Sequence, residues 1–252
     1  YRLKLHAPLA VKTVILESNL SHAGRPKPLH VRNALTPVEI ARYRIELINV
    51  PFSADLRERV GRCSKKDPIC TWLLEVAQRK FIMGMLQETI DRTLSEHRLD
   101  DVLVHMSDLD ELLDVDAVRK LNVSACTIPK LRLFYYSERC PTGVPWAYSA
   151  LFRAGSGWLR KHASDSLQLR HATWSKLRGI CDVSGEYLGW HFSYFMGNER
   201  ILTKLRNFGQ ANDDFVVRVT QSSDPIAKVD YAVRKCLDFR GTRHGPVWAG
   251  YD

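Results

Sequence analysis

The sequence predicts an α/β fold. The expected form is a single Rossmann-like domain over residues 1–252, a mostly parallel sheet with helices on both faces. Two observations carry this expectation. Short β-branched, apolar runs alternate with amphipathic helical stretches, and no repeat, low-complexity segment or linker divides the chain.

The first run, "VKTVILES" (11–18), reads as a buried strand. "LSHAGRPKPLHV" then forms a loop with a positive lining, its path set by glycine and proline. "YRIELINV" (43–50) alternates as a second strand, and residues 53–68 read as an irregular excursion. The longest helix is predicted from about Ile69 to His97, with Trp72, Val76, Met83, Leu86, Ile90 and Leu94 along one face. Arg79 falls on that same stripe and needs a partner, which Glu75 one turn earlier can supply. A snorkelling surface pair is the alternative.

"VLVHM" (102–106) is the next strand, and "DVDAVRKL" (114–121) a short helix with acids in its first turn. Strands are predicted over 127–136, 146–153 and 186–195. The helix "ERILTKLRNF" follows, then another around 224–237 and a Gly- and Trp-rich tail.

The net charge of +9 comes from Lys and Arg spread over the whole length, without a basic block interleaved with aromatics. Nucleic acid is therefore not an expected partner. No run approaches the ~20 apolar residues of a membrane span. The chain starts without Met or a signal-like segment, so a trimmed chain is expected, attached to a membrane only through an anchor outside it.

The six cysteines include no CxxC pair, so zinc spacing is absent. Cys63 and Cys70 bracket "SKKDPI" and can close a short loop as a disulfide, which favours an oxidising compartment. Six reduced thiols are the alternative. The sequons at Asn19 and Asn122 agree with a secretory route.

Three groups can carry chemistry. In "HMSDLDEL", directly after a strand, an extended backbone would put Asp108 and Asp110 on one side, where two carboxylates suit Mg²⁺ or Mn²⁺. A D-x-D alone also reads as an acidic loop or helix cap. His191, mid-strand in "LGWHFSY", can complete a site favouring Mn²⁺ or serve as a structural histidine. Arg25 and Lys27, set between prolines, can face a diphosphate or line a solvated turn. No Walker A loop, G-x-G-x-x-G or G-x-S-x-G is present.

With these residues in view, the sequence resembles glycosyltransferase family 17. That is the family of β-1,4-mannosyl-glycoprotein 4-β-N-acetylglucosaminyltransferase, which adds the bisecting GlcNAc to N-glycans. Four blocks carry the resemblance in order: "VILESNLSHAGRPKPLHV", "WLLEVAQRKFIMGML", "VLVHMSDLDEL" and "GWHFSYFMGNERILTKLRNF". It implies a GT-A glycosyltransferase fold and a UDP-sugar donor. It places Glu17 and Asn19 near the nucleoside, and Lys27, Gln78 and Arg79 near the nucleotide or diphosphate. Asp108 and Asp110 would hold the metal and diphosphate, with His191 close by. It further implies Mn²⁺ or Mg²⁺, a glycan or glycoprotein acceptor, inversion at the anomeric carbon, and a type II membrane protein of the Golgi lumen. The carboxylate base is expected among Glu199, Glu186 and Glu111. A nucleotidyl- or phosphotransferase using the same carboxylates is the competing enzyme class, and a basic binding module the competing non-enzyme.

Overall fold

The structure is a computed structural model that describes residues 1–62, 68–93, 101–123, 125–157, 181–211, 213–240 and 242. The chain divides into two compact units where the sequence predicts one domain. The first comprises Tyr1–Lys12, Arg79–Leu133 and Val144–Phe192, and the second Thr13–Gln78, Phe134–Gly143 and Ser193–Asp252.

The first unit opens with a short helix, α1 (Arg2–His6). It takes the C-terminal half of the long helix α5 (Pro68–Thr93), whose predicted continuation to His97 lies outside the described residues. Its strands are β3 (Leu103–Met106), β4 (Glu111–Leu113), β5 (Cys126–Tyr135), β6 (Ala150–Arg153) and β7 (Asp182–Ser193). Helix α6 (Val115–Arg119) starts where the Asp114 carboxylate accepts the N–H groups of Asp116 and Ala117, as the acidic first turn predicts.

The strand order is β3-β6-β5-β7-β4. Here the expectation of a mostly parallel sheet is corrected to a mixed one: β3 with β6, β5 with β6, and β4 with β7 pair antiparallel. Neighbouring β5 and β7 run in the same direction, with Cys126 joined to Cys181 and the Lys130 N–H donating to Ser184 Oγ. In β5 the residues Cys126–Pro129 are all buried, and beyond them half-buried Lys130 and exposed Arg132 alternate with buried Leu131 and Leu133. Within the predicted strand 146–153 the ladder begins at Ala150, and Trp146 pairs alone with Leu131 at N–O distances of 2.7 and 2.9 Å.

β3 and β4 form opposite edges of this sheet, yet only Ser107-Asp108-Leu109-Asp110 joins them. The edges of a flat five-stranded sheet lie about 19 Å apart, and the link from Met106 to Glu111 reaches at most about 18 Å even when fully extended. Here the link is turned, with the Glu111 N–H donating to the Asp108 carbonyl at 3.3 Å. The sheet must therefore curl, and the acidic segment bridges its two edges.

Two apolar clusters fill the first unit, one around Ile90, Ile128 and Phe152, the other around Leu113, Leu131, Leu151 and Leu188. The Cys126–Cys181 disulfide lies in the first of them.

In the second unit β1 (Thr13–Glu17) and β2 (Ile45–Asn49) pair in parallel. Helices α2 (His30–Ala34) and α3 (Pro37–Arg42) lie on the connection between them, so the parallel βαβ expectation holds locally. A capping box starts α3: the Thr36 hydroxyl accepts the Glu39 N–H, and the Glu39 carboxylate accepts the Thr36 N–H. Residues 53–68 were expected to be irregular but contain helix α4 (Ala54–Arg62), whose exposed, charged sequence left no apolar stripe to read.

Helices α7 (Asn198–Leu205), α8 (Asp214–Thr220) and α9 (Pro225–Lys235) pack on one another through Ile201, Leu205, Val216 and Val229. The Cys140–Cys236 disulfide joins the same cluster. These two disulfides indicate an oxidising environment. The expected Cys63–Cys70 pairing lies outside the described residues. Among the described residues no helix is long and apolar enough to cross a membrane.

Candidate active site

The acidic link of the first unit was expected to be extended, with Asp108 and Asp110 facing one cation. The structure corrects this. The segment is a turn, and the two carboxylates go to different partners. Asp108 Oδ1 lies 3.8 Å from an Arg79 guanidinium nitrogen, and Asp110 Oδ2 lies 3.4 Å from His191 Nε2. The arginine on the apolar stripe of α5 thus meets a carboxylate of the turn.

Glu111 is fully enclosed, with 0% of its surface exposed. Its Oε1 accepts the Trp146 indole N–H at 2.6 Å, and its Oε2 accepts the Asp108 backbone N–H at 2.9 Å. Burial pushes its carboxyl up to about 7. The Trp146 hydrogen bond and the charges of Arg2 and Arg79 oppose that rise, and Asp110 adds to it. On the other side of the turn, the Arg2 guanidinium donates to the Asp108 carbonyl and to Ser107 Oγ. Burial lowers the pKa of Arg2, and the charges of Glu111 and Asp110 resist that.

His191 is delivered by the β4–β7 ladder, where it stands opposite Glu111. The Trp146 ring lies on its imidazole, with centroids 4.2 Å apart. Its Nδ1 is buried without a hydrogen-bond partner among the described residues. Two positions further along the ladder, Gly189 faces Leu113 with φ +154°, and a Cβ there would sit 2.0 Å from the Leu112 carbonyl oxygen. Only glycine lets β4 approach β7 this closely, so the "GWH" triplet has a backbone reason.

Glu186, also on β7, is exposed and separated from His191 by about 17 Å of strand. Glu199 is an exposed residue in the first turn of α7, in the second unit. Within the first unit, Glu186 is not brought to the turn.

Glu17, Asn19, Lys27 and Gln78 belong to the second unit. The Glu17 carboxylate accepts the N–H groups of Val31 and Arg32 at the start of α2 and pairs with Lys27 Nζ at 3.6 Å. The Asn19 carbonyl accepts the Lys27 N–H at 2.8 Å, closing the basic loop with a Leu20–Pro26 bridge. Gln78 Oε1 lies 2.9 Å from His22 Nε2, and His22 Nδ1 lies 3.4 Å from the buried carboxylate of Glu75. Sequence reasoning did not single out Arg2, Trp146 or His22. Arg2 and Trp146 carry no local signal, because their contacts are 106 and 35 residues away.

Among the described residues no three His, Cys, Asp or Glu side chains converge as a metal-ligand set. Asp110 and His191 still fit a divalent cation in donor chemistry. A half-buried Asp110 carboxylate and an imidazole nitrogen of His191 lie side by side, and the buried Nδ1 of the same histidine lacks a hydrogen-bond partner among the described residues. Comparison with family models, curated proteins and solved structures found no match to this chain.

Proposed function

We propose that the chain is a metal-dependent inverting glycosyltransferase of the GT-A type. It would transfer GlcNAc from UDP-GlcNAc to a glycan, such as the β-mannose of an N-glycan core, in the Golgi lumen. The supporting observation is the acidic turn, which sets Asp108 against a guanidinium and Asp110 against an imidazole in one segment. An Asp–His pair for a cation, with an arginine fork for phosphate, is a set suited to a nucleotide diphosphate. The two disulfides agree with a luminal setting.

In this reading Asp110 and His191 hold Mn²⁺ or Mg²⁺, which when bound offsets the negative charge of the departing diphosphate. Asp108 orients Arg79 toward the phosphates. The acceptor oxygen bonds to the anomeric carbon as the bond to diphosphate breaks, and the hydroxyl proton passes to a carboxylate. Glu111 has a suitable proton affinity, but both its oxygens already accept hydrogen bonds, which favours a positioning role. Glu186 stands about 17 Å of strand from His191, too far to take that proton, and Glu199 belongs to the second unit. The enclosure of Glu111 also weighs against two-metal nucleotidyl transfer, which needs a third open carboxylate.

The test is UDP release from a panel of UDP-sugars with a glycan acceptor, in Mn²⁺ and in EDTA. Acceptor-dependent turnover in Mn²⁺ alone supports the reading. Turnover of nucleotide without sugar transfer, or equal rates in EDTA, overturns it.

A further inference from the structure

We infer that Arg2 and Glu111 are positioning residues that clamp Asp108 through its carbonyl and its N–H, and that Trp146 ties this clamp to His191. The inference rests on the glycosyltransferase reading, because it assigns a role to residues around the proposed cation site.

Asp108 contributes two polar groups to the backbone, one in each peptide unit that flanks its Cα, and a side chain holds each of them. Its carbonyl accepts from Arg2 of α1, and its N–H donates to Glu111 Oε2 at 2.9 Å. Arg2 also donates to Ser107 Oγ, so the start of the turn is fixed as well. An unsupported four-residue link would sample several conformations. Tied at both peptide units that flank Asp108, it presents the Asp108 and Asp110 carboxylates in a single arrangement.

The clamp extends further through Glu111. Its second oxygen holds the indole N–H of Trp146, whose ring lies against the His191 imidazole. One enclosed carboxylate thus sets both the acidic turn and the wall behind the histidine. Groups that orient ligands in this way commonly alter metal affinity by about 10- to 100-fold when removed.

Glu111→Gln keeps the shape, but its amide end can only face one of two N–H donors, so one contact becomes a clash of donors. Arg2→Met keeps the length and removes both donated bonds. Arg2 lies in α1, outside the β4–β7 ladder that holds Glu111, so this variant tests the clamp even if Glu111→Gln folds poorly. Mn²⁺ affinity is measured by calorimetry on the unliganded protein, alongside UDP affinity and Tm, with the exposed Arg119→Met as control.

The expected result is Mn²⁺ binding weakened about tenfold or more in Arg2→Met, with little change in Tm and none in the control. Arg2→Lys should recover part of it. Unchanged Mn²⁺ affinity in both clamp variants, with Asp110→Asn abolishing binding, overturns the clamp and leaves the function reading standing. A wild-type protein that binds neither Mn²⁺ nor UDP overturns both.

Discussion

The Trp146 indole donates a 2.6 Å hydrogen bond to Glu111 Oε1 at a position where Glu111 has no contact with solvent. A buried carboxylate stripped of one donor bears the cost itself, since no water can replace the bond. Trp146→Phe should therefore destabilise by about 1–3 kcal/mol beyond its packing loss. Urea unfolding of Trp146→Phe in the wild-type and Glu111→Leu backgrounds checks this. The penalty should shrink when the carboxylate is absent, and an equal loss in both backgrounds would show that the bond contributes nothing.

Asp108 and Arg79 are 3.8 Å apart, and their effects on donor binding should couple. Asp108→Asn and Arg79→Met should each weaken UDP binding, and the double variant should be little worse than the more damaging single one. A coupling of about 1 kcal/mol is expected from a calorimetric double-mutant cycle. Arg79→Lys should not restore affinity, because the planar fork is lost. Additive losses would mean the pair does not act together.

The Gln78 carboxamide is oriented by His22, which stands between it and Glu75. With Oε1 facing His22, the NH₂ end is left to meet a carbonyl, as uracil offers and the cytosine amino group does not. His22→Phe should cut the preference for UDP over CDP by about 2- to 10-fold. Competition binding with the two nucleotides reads the ratio, and an unchanged ratio would remove the assignment.

His105 lies on β3 with its Nε2 buried and unpartnered among the described residues. Burial lowers its pKa well below the ordinary value, and the charges of Arg2 and His6 lower it further. The unfolded chain therefore takes up a proton near pH 6.5 that the folded protein refuses. Stability from this residue is complete above about pH 6.5 and falls as the pH drops below it. Glu111, raised to about 7, acts with the opposite sign, so the comparison must be a difference. His105→Phe should gain stability relative to wild type at pH 5.5 but not at pH 7.5, in Tm measured without metal. A gap independent of pH would contradict this.

The disulfides span 55 and 96 residues, and loops of that size constrain the unfolded chain by about 4 kcal/mol each. Replacing Cys126 and Cys181 together with Ser should cost about 2–5 kcal/mol, and so should replacing Cys140 and Cys236. Chemical denaturation of the two double variants measures the loss. A change under 1 kcal/mol would mean the unfolded chain keeps its ends close without the bond.

Local chemistry was legible in the sequence wherever it depends on neighbours. The β-branched run at 13–17, the Asp114 cap and the helix after Gly197 stand where composition puts them, because each is decided within a few residues. The acidic segment was recognisable too, since three carboxylates directly after an apolar strand are unusual. Strand direction was not legible. An apolar run has the same composition in a parallel as in an antiparallel ladder.

The sequence by itself determined which side chains are the candidates for chemistry: Asp108, Asp110, Glu111 and His191, with Arg79 on an apolar stripe that demanded a partner. Only the tertiary structure decided how they divide. It turned the link that bridges the edges of the curled sheet, sent Asp108 to Arg79 and Asp110 to His191, and enclosed Glu111 between Trp146 and the Asp108 peptide. Those outcomes depend on contacts between residues far apart in the chain, Arg2 with Asp108 and Trp146 with Glu111. No local pattern encodes such contacts, because they form only when the sheet curls and packing excludes water from the carboxylate.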